Sequence, residues 1–138
     1  MRILGIDYGD ARIGTSVCDE LETLAHPLKT YKAESMRKNI DTMSALAKSE
    51  NVGLIVVGLP LNMDGSEGAR ASKTRAFASV LSKVSGLAVE LVDERLTSVE
   101  AEEIMDSLSV KKSKRKDIID TIAAQLILQS YLDRKKKN

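Results

Sequence analysis

The stretch RILGIDYGDARIGTSVC, residues 2–18, predicts two consecutive β-strands joined by a tight turn. Its first part, Arg2 to Tyr8, is a short apolar run that ends in Asp7-Tyr8-Gly9, which is typical of a buried strand stopped by a turn. Its second part, Arg12 to Cys18, carries β-branched residues at alternate positions, which would share one face of a strand. The fold is therefore expected to begin with a hairpin whose first strand ends near an acid.

The segments that follow indicate an α/β fold. A third extended segment, Leu24 to Tyr31, contains Pro27 and is expected at an edge of the sheet or in an irregular position. The further predicted elements are a helix capped by Ser35, a buried strand at Leu54–Val57, a helix that ends at Gly86, a strand at Leu87–Val92, a helix that begins with the Thr97/Glu100 capping box, and a last helix from near Asp117 to about Asp133 with Ile119, Ile122, Ala123 and Leu126 facing inward. The order β-β-β-α-β-α-β-α-α predicts a five-stranded mixed sheet with helices on both faces. A chain of 138 residues fits one domain, residues 1–138.

The composition is typical of a soluble globular protein. Hydrophobic residues make up 43% of the chain, and with one Phe, three Tyr and no Trp the core is expected to be aliphatic. The single cysteine, Cys18, has no partner for an internal disulfide and is expected to be a small buried residue. The sequence shows no signal-peptide pattern and no apolar run of membrane-spanning length, so we expect a cytoplasmic protein without membrane contact.

Positive charge is concentrated in two runs, although the formal net charge is only +1. The second run lies in residues 134–138, which are expected to be a frayed basic tail. Such runs are usually solvated surface. The first run directly precedes a pair of acids, so it is also a candidate contact for a nucleic-acid backbone. Its members are Lys111, Lys112, Lys114, Arg115 and Lys116.

Several acids occupy positions where they are expected to meet. Asp7 and Glu94, the latter with Asp93 beside it, end apolar strands. Asp117 and Asp120 lie three residues apart at the start of the last helix and share roughly one face. In an open α/β sheet the functional crevice lies outside the carboxyl ends of the strands. Each acid also has an ordinary structural explanation, as a turn former, an ion-pair partner or a complement to the helix dipole, but their joint placement favours a functional site.

Gathered carboxylates favour a site for hard divalent cations. Without a counter-charge they would repel one another, and their oxygens are ligands that suit Mg²⁺ or Mn²⁺. Two such ions about 3.5–4 Å apart can activate a water and stabilise the leaving oxygen of a phosphodiester. No other catalytic set competes in the sequence, because the only histidine, His26, stands alone and no Cys/His metal spacing is present. Arg12 is expected to touch phosphate or to brace Asp7, and Ser66 to cap a helix or to face a bound phosphate.

Four groups of residues, in order along nearly the whole chain, form a recognisable set. They are Gly5-Ile6-Asp7-Tyr8-Gly9 with Arg12-Ile13-Gly14, Val57-Gly58-Leu59-Pro60-Leu61-Asn62 with Asp64-Gly65, Asp93-Glu94-Arg95-Leu96-Thr97-Ser98, and Asp120 with Ala123-Ala124 and Ile127-Leu128-Gln129-Ser130-Tyr131. The set resembles the YqgF (RuvX) family of Holliday-junction-resolvase-like proteins and pre-16S ribosomal RNA nucleases. The resemblance implies an RNase H-like fold with strand order 3-2-1-4-5, metal-dependent phosphodiester cleavage, and trimming of the 5′ end of the bacterial small-subunit ribosomal RNA precursor.

Carried over position by position, the resemblance implies that Asp7, Glu94 and Asp120 are the catalytic, metal-binding acids. Asp117 lies one turn before the last motif and is a further candidate ligand, whereas Asp93 could exchange roles with Glu94. One departure from the wider RNase H-like proteins concerns the acid at the end of the fourth strand, because that strand ends here in Gly58-Leu59-Pro60. Glu94, from the fifth strand, would have to take its place.

The sequence thus predicts a Mg²⁺- or Mn²⁺-dependent nuclease for structured RNA, with precursor ribosomal RNA, free or in a ribosomal particle, as its partner. Arg12 and the run from Lys111 to Lys116 would contact phosphates, and the scarcity of aromatic residues favours recognition by shape. Three alternatives stay open at this point. They are an RNA-binding assembly factor without activity, a Holliday-junction-type resolvase for structured DNA, and an actin-like or sugar-kinase-like ATPase, which would need two such domains. A monomer or a weak dimer is expected.

Overall fold

A computed structural model describes residues 1–95, 103, 106, 107 and 112–137, without the side chains of residues 112–117 and 137. Within these residues the strands are β1 (Ile3–Tyr8), β2 (Arg12–Cys18), β3 (Ala25–Lys32), β4 (Leu54–Leu59) and β5 (Val89–Asp93). The helices whose bounds both lie within the described residues are α1 (Met36–Ser49), α2 (Ala69–Ser85) and α3 (Lys112–Lys137). The helix predicted to begin at Thr97 lies almost entirely outside the described residues.

The five strands form one mixed sheet in the order β3-β2-β1-β4-β5, which confirms the predicted α/β class and strand order. β1 pairs antiparallel with β2 and parallel with β4, and β4 pairs parallel with β5. β3, which contains Pro27, is an edge strand as expected. Because β1, β4 and β5 run in the same direction, Tyr8, Leu59 and Asp93 end their strands at one common edge of the sheet. This carboxyl edge is where an α/β fold places its functional crevice.

Alternation along the strands divides the core into two layers, one on each face of the sheet. On the first face, Leu4, Ile6 and Tyr8 pack with α1 and α2, and the Tyr8 ring stacks on the Phe77 ring with 3.9 Å between centroids. On the second face, Ile3 belongs to the layer that contains buried residues of α3. The α3 residues of that layer are Ile127, Leu128 and Leu132. Helices therefore cover both faces, as predicted.

The last helix is longer than expected. α3 begins at Lys112 rather than near Asp117 and continues to Lys137 rather than ending near Asp133. The basic run is therefore part of the first turns of α3, at least from Lys112 onward, and residues 134–137 are helical. Within the ranges that the structure covers, no helix is both long and apolar enough to cross a membrane.

The buried face of α3 is rotated from the predicted one. Ile122 and Ala123 are buried as expected, but Ile119 and Leu126 are only half-buried. The fully buried positions are Ala124, Ile127 and Leu128. The reason is a close approach of backbones, because the helix lies against glycine positions of β1 and β2 that the sequence pattern of α3 does not reveal.

The sequence correctly predicted the Ser35 cap of α1, the glycine after α2 and the burial of Cys18, but not the cap of α2. The Ser35 hydroxyl accepts a hydrogen bond from the Lys38 backbone N–H at 3.2 Å, and Gly86 follows α2 in the left-handed region with φ +74°. Cys18 is buried, 1% exposed. The expectation that Ser66 caps α2 is wrong, since Gly68 is the N-cap residue. Ser66 instead donates to Asp64 Oδ1 at 2.6 Å within the preceding loop.

Candidate functional site

Asp7 and Glu94 lie on the face of the sheet that α3 covers. Side chains alternate along a strand, so Asp7 shares its face with Gly5, whose position contacts α3. On β5, Val92 packs in the same layer as α3, and Glu94 follows two residues later. The Glu94 backbone N–H donates to the Leu59 carbonyl at 3.2 Å, which continues the pairing of β5 with β4. Strand parity and parallel pairing therefore bring two acids that are distant in sequence to one corner.

Gly58, at the end of β4, separates the two acids and leaves room for their contact. A Cβ at position 58 would stand 2.5 Å from Glu94 Oε2 and 2.5 Å from Ile127 Cδ1. The Glu94 side chain extends over this glycine and forms a side-chain hydrogen bond with Asp7. The fourth strand has no acid at its end. The Glu94 carboxylate, which follows the fifth strand, instead lies beside Gly58 at the end of the fourth strand.

Burial and mutual repulsion raise the pKa of both carboxyl groups. Burial has the largest effect on Asp7, and the charge of Asp120 adds to it, while the hydrogen bond from Glu94 and the charge of Arg70 act in the opposite direction. Burial, followed by the charge of Asp7, raises the pKa of Glu94 to about 8. The raised pKa favours the protonated form of Glu94, which donates a hydrogen bond to Asp7.

Asp120 reaches this corner because α3 packs against backbone rather than side chains. A Cβ on Gly14 would collide with the carbonyl group of Asp120, and Gly14 is the β2 partner of Asp7 in the β1–β2 ladder. One turn further along, a Cβ on Gly5 would stand 3.1 Å from the Ala124 carbonyl oxygen. The buried Ser16 hydroxyl donates to that same oxygen at 2.8 Å. These contacts set the height of α3 above the sheet and place Asp120 near Asp7.

Two arginines lie near the acids, and only one of them was expected. Arg12 Nε donates to Asp120 Oδ2 at 2.6 Å, so Arg12 pairs with Asp120 rather than with Asp7. Arg70, in the first turn of α2, lowers the pKa of Asp7 and of Glu94 through its charge. The sequence reasoning missed Arg70, although a basic residue in the first turn of the helix after β4 is a usable signal.

Asp93, the alternative to Glu94, is directed to different partners. It forms a two-oxygen contact with Arg95, whose Nε lies 2.9 Å and Nη2 2.7 Å from Asp93 Oδ2 and whose Nε lies 3.2 Å from Oδ1. Arg95 Nη1 also donates to the Met63 carbonyl at 3.2 Å. Asp93 and Arg95 thus brace the loop after β4. Because consecutive strand residues face opposite sides, the pairing of Asp7 with Glu94 excludes the same contact for Asp93.

The described side chains do not form a closed metal cage. Among them, no group of three or more Asp, Glu, His or Cys residues has an arrangement that could hold a metal ion. Asp7 and Glu94 contact each other, whereas Asp120 is engaged by Arg12. Asp117 and the basic run from Lys112 to Lys116 lie on the first two turns of α3, but their side chains lie outside the description, as does Lys111.

Comparison with known families identifies the chain. The model of the RuvX family, described as Holliday junction resolvase, matches residues 1–134. This protein belongs to the RuvX family. The family resemblance found in the sequence is thereby confirmed, and the motifs that carried it are those around Asp7, Gly58, Glu94 and Asp120.

RuvX relatives match over almost the full length. A protein named "Putative pre-16S rRNA nuclease" from Syntrophus aciditrophicus is 45% identical over 133 residues, 96% of this chain and 89% of the relative. A protein of the same name from Endomicrobium trichonymphae is 45% identical over 133 residues, 96% of this chain and 95% of the relative. Among solved structures, Thermus thermophilus RuvC in complex with a Holliday junction substrate superposes with a TM-score of 0.63 at 16% identity, covering 100% of this chain and 97% of the other. At that identity the likeness shows the fold, which is RNase H-like.

Proposed function

We propose that this RuvX protein is a nuclease that hydrolyses phosphodiester bonds of RNA and that it processes the 5′ end of the 16S ribosomal RNA precursor. The observation that carries the proposal is the hydrogen-bonded pair of Asp7 and Glu94 at the carboxyl edge of the sheet, with Asp120 next to it. The names of relatives that are 45% identical over 96% of the chain support the substrate class. Processing of ribosomal RNA would take place in the cytoplasm.

The chemistry of the three carboxylates fits a hard divalent cation. All the donors are oxygens, and the repulsion between Asp7 and Glu94 is relieved in the metal-free protein by a proton on Glu94. Loss of that proton would leave the Asp7 and Glu94 carboxylates free to hold such a cation. Asp7 and Glu94 would hold it, Asp120 would complete the set, and Asp117, one turn earlier on α3, is a further candidate ligand. Bound Mg²⁺ or Mn²⁺, as one ion or as a pair, supplies activation of a water and stabilisation of charge on the leaving oxygen.

The charges around the acids suit a polyanionic substrate. Arg70 lies close enough to affect Asp7 and Glu94 electrostatically, and it is exposed. Lys112 is eight positions before Asp120 on α3, which at 1.5 Å per residue is about 12 Å along the helix axis. The basic run of α3 would therefore bind phosphates that flank the cleaved bond. Such contacts give affinity and orientation without choosing a sequence.

The proposal is tested by cleavage of a precursor 16S ribosomal RNA leader in Mg²⁺ or Mn²⁺ with the wild type, Asp7→Asn and Asp41→Asn. Asp7→Asn keeps the size of the side chain but removes a charge that the cation needs, so cleavage should fall at least about a hundredfold. Asp41 is an exposed acid on α1, on the opposite face of the sheet, and Asp41→Asn should cleave like the wild type. Equal activity of Asp7→Asn and wild type would contradict the assignment of the site.

A four-way DNA junction belongs in the same assay, because the family model carries the description of a junction resolvase. Symmetric cleavage of the junction by the wild type, with the RNA leader uncut, would replace RNA by structured DNA as the substrate. Binding of the RNA leader without cleavage of either substrate would favour an assembly factor that retains the fold.

A further inference from the structure

Arg12 and Asp120 lie next to each other because the backbones of β2 and α3 pack closely together. Arg12 begins β2 and has the same parity as Gly14 and Ser16, so it lies on the face that α3 covers. Gly14 permits the main-chain contact with Asp120, and the Ser16 hydroxyl bonds the Ala124 carbonyl at 2.8 Å. Two residues 108 positions apart are thereby fixed at a short distance.

The contact between them is a short, charge-assisted hydrogen bond in a partly screened position. Arg12 Nε lies 2.6 Å from Asp120 Oδ2, with the two side chains 34% and 17% exposed. The bond uses one carboxylate oxygen of Asp120, Oδ2. The second oxygen of Asp120 can therefore serve another ligand while the first stays bonded to Arg12.

The bond from Arg12 to Asp120 counteracts the electrostatic repulsion between Asp120 and Asp7. The charge of Asp120 acts unfavourably on Asp7, so a freely rotating Asp120 side chain would turn away from Asp7. An arginine that holds one oxygen opposes this rotation and balances the charge of Asp120. Removal of a residue that hydrogen-bonds a metal-binding side chain commonly lowers metal affinity by about 10- to 100-fold.

We propose that Arg12 is a positioning residue that acts through Asp120, orienting its carboxylate toward Asp7 and Glu94 for a divalent cation, rather than a direct contact for substrate phosphate. The inference rests on the proposed function, because it assumes that these acids bind a cation. It assigns to Arg12 a role that its place in the sequence does not reveal.

The test measures binding of Mn²⁺ alone by calorimetry, without RNA, for wild type, Arg12→Ala, Arg12→Lys, Asp120→Asn and the double variant Arg12→Ala/Asp120→Asn. Arg12→Ala should weaken Mn²⁺ binding about tenfold, and Arg12→Lys should recover part of the loss because it keeps the charge but not the planar geometry. In the Asp120→Asn background the loss of Arg12 should have no further effect. Metal-free melting temperatures check that each variant is folded, and Arg12→Lys keeps the test decisive if Arg12→Ala is unstable.

A second readout separates positioning from phosphate contact. Metal-free binding of the RNA leader should be the same for wild type and Arg12→Lys. Unchanged or tighter Mn²⁺ binding in both Arg12 variants, or a loss of RNA affinity with normal Mn²⁺ binding, would overturn the inference while leaving the proposed function intact. A wild type that binds no Mn²⁺ and no Mg²⁺ would overturn the proposed function and, with it, this role of Arg12.

Discussion

The carboxylate of Glu94 lies over Gly58 of the neighbouring strand, where a Cβ would be 2.5 Å from Glu94 Oε2. Glu94 ends up there because it follows β5 with the same parity as Val92 and because β5 pairs in parallel with β4. From that position its carboxyl group reaches Asp7 on the far side of β4. The acid pair therefore depends on a glycine that takes no part in the chemistry itself.

Gly58→Ala should displace Glu94 and reduce activity far more than stability. The added methyl group would meet the ends of two flexible side chains, Glu94 and Ile127, which can shift at a cost of about 1–3 kcal/mol in the free energy of unfolding. The contact of Glu94 with Asp7 would be lost, so we expect at least a tenfold drop in metal-dependent cleavage with the fold retained. Gly68→Ala is a suitable control, since its nearest neighbours are 3.6 Å away. Full activity of Gly58→Ala would show that Glu94 need not occupy this space.

Glu94→Gln should stabilise the protein in the absence of metal. In the folded state the pKa of Glu94 is about 8, above its ordinary value of 4.5, so the folded protein binds this proton more tightly than the unfolded chain. The free energy of unfolding of the wild type should therefore fall as the pH rises from about 5 to about 8, whereas glutamine does not titrate. At pH 8 we expect Glu94→Gln to be more stable by on the order of 2 kcal/mol, less than the whole shift would give because the site is partly open to solvent.

The measurement is urea denaturation of both proteins at pH 5 and pH 8, in chelator and in Mg²⁺. Mg²⁺ should raise the stability of the wild type but have little effect on Glu94→Gln, since the proposed site would need the ionised carboxylate that glutamine lacks. A constant difference between the two proteins across this pH range would contradict the raised pKa.

Gly14→Ala should destabilise the whole fold. Its Cβ would collide with the main-chain carbonyl of Asp120, which cannot move away without lifting α3 from the sheet, so we expect a loss of about 3 kcal/mol in the free energy of unfolding. Gly53→Ala is the matched control, because its Cβ would meet only the flexible side chain of Met1. Thermal unfolding compares the two variants. Equal melting temperatures would mean that α3 can lie further from β2 than it does here.

Neutralising the basic run of α3 should flatten the salt dependence of RNA binding. The variant replaces Lys112, Lys114, Arg115 and Lys116 by Gln, and each lost phosphate contact should reduce the slope of log K against log salt by about 0.7–0.9. The control replaces Lys48 and Lys83, two exposed residues in the last turns of α1 and α2, away from the carboxyl edge. If the slope is the same in both variants, the run does not contact the backbone of the RNA.

The fold was predictable because each strand carries its own signal. The apolar run before Asp7, the position of Pro27 and the alternation of strands with helices were enough for the strand order, given the family resemblance. The helix bounds were less accurate, since α3 extends over a basic run whose composition is typical of exposed surface. The cap of α2 was misassigned because Ser66 bonds Asp64 within its own loop, which competes with capping.

The site was predictable only as a set of acids. The places of Asp7 and Glu94 at strand ends, and of Asp120 near the start of the last helix, indicated that these acids would meet. The choice between Glu94 and Asp93 required the actual register of β5 against β4. The partner of Arg12 was also undetermined, because a residue in sequence proximity to Asp7 lies closer in space to a helix 108 positions away. Arg70 was missed altogether, although its place in the first turn of the helix after β4 was a usable signal.

The sequence alone predicted the α/β class, helices on both faces of the sheet and a set of acids at its carboxyl edge, because these follow from local periodicity and residue type. The tertiary structure alone decided which side chains touch. Gly5, Gly14 and Gly58 show the reason, as the absence of a side chain leaves no mark in a hydrophobic pattern. In the folded protein α3 packs against these glycines. Because they have no Cβ, Asp120 can approach Asp7, and the Glu94 side chain has room to contact Asp7.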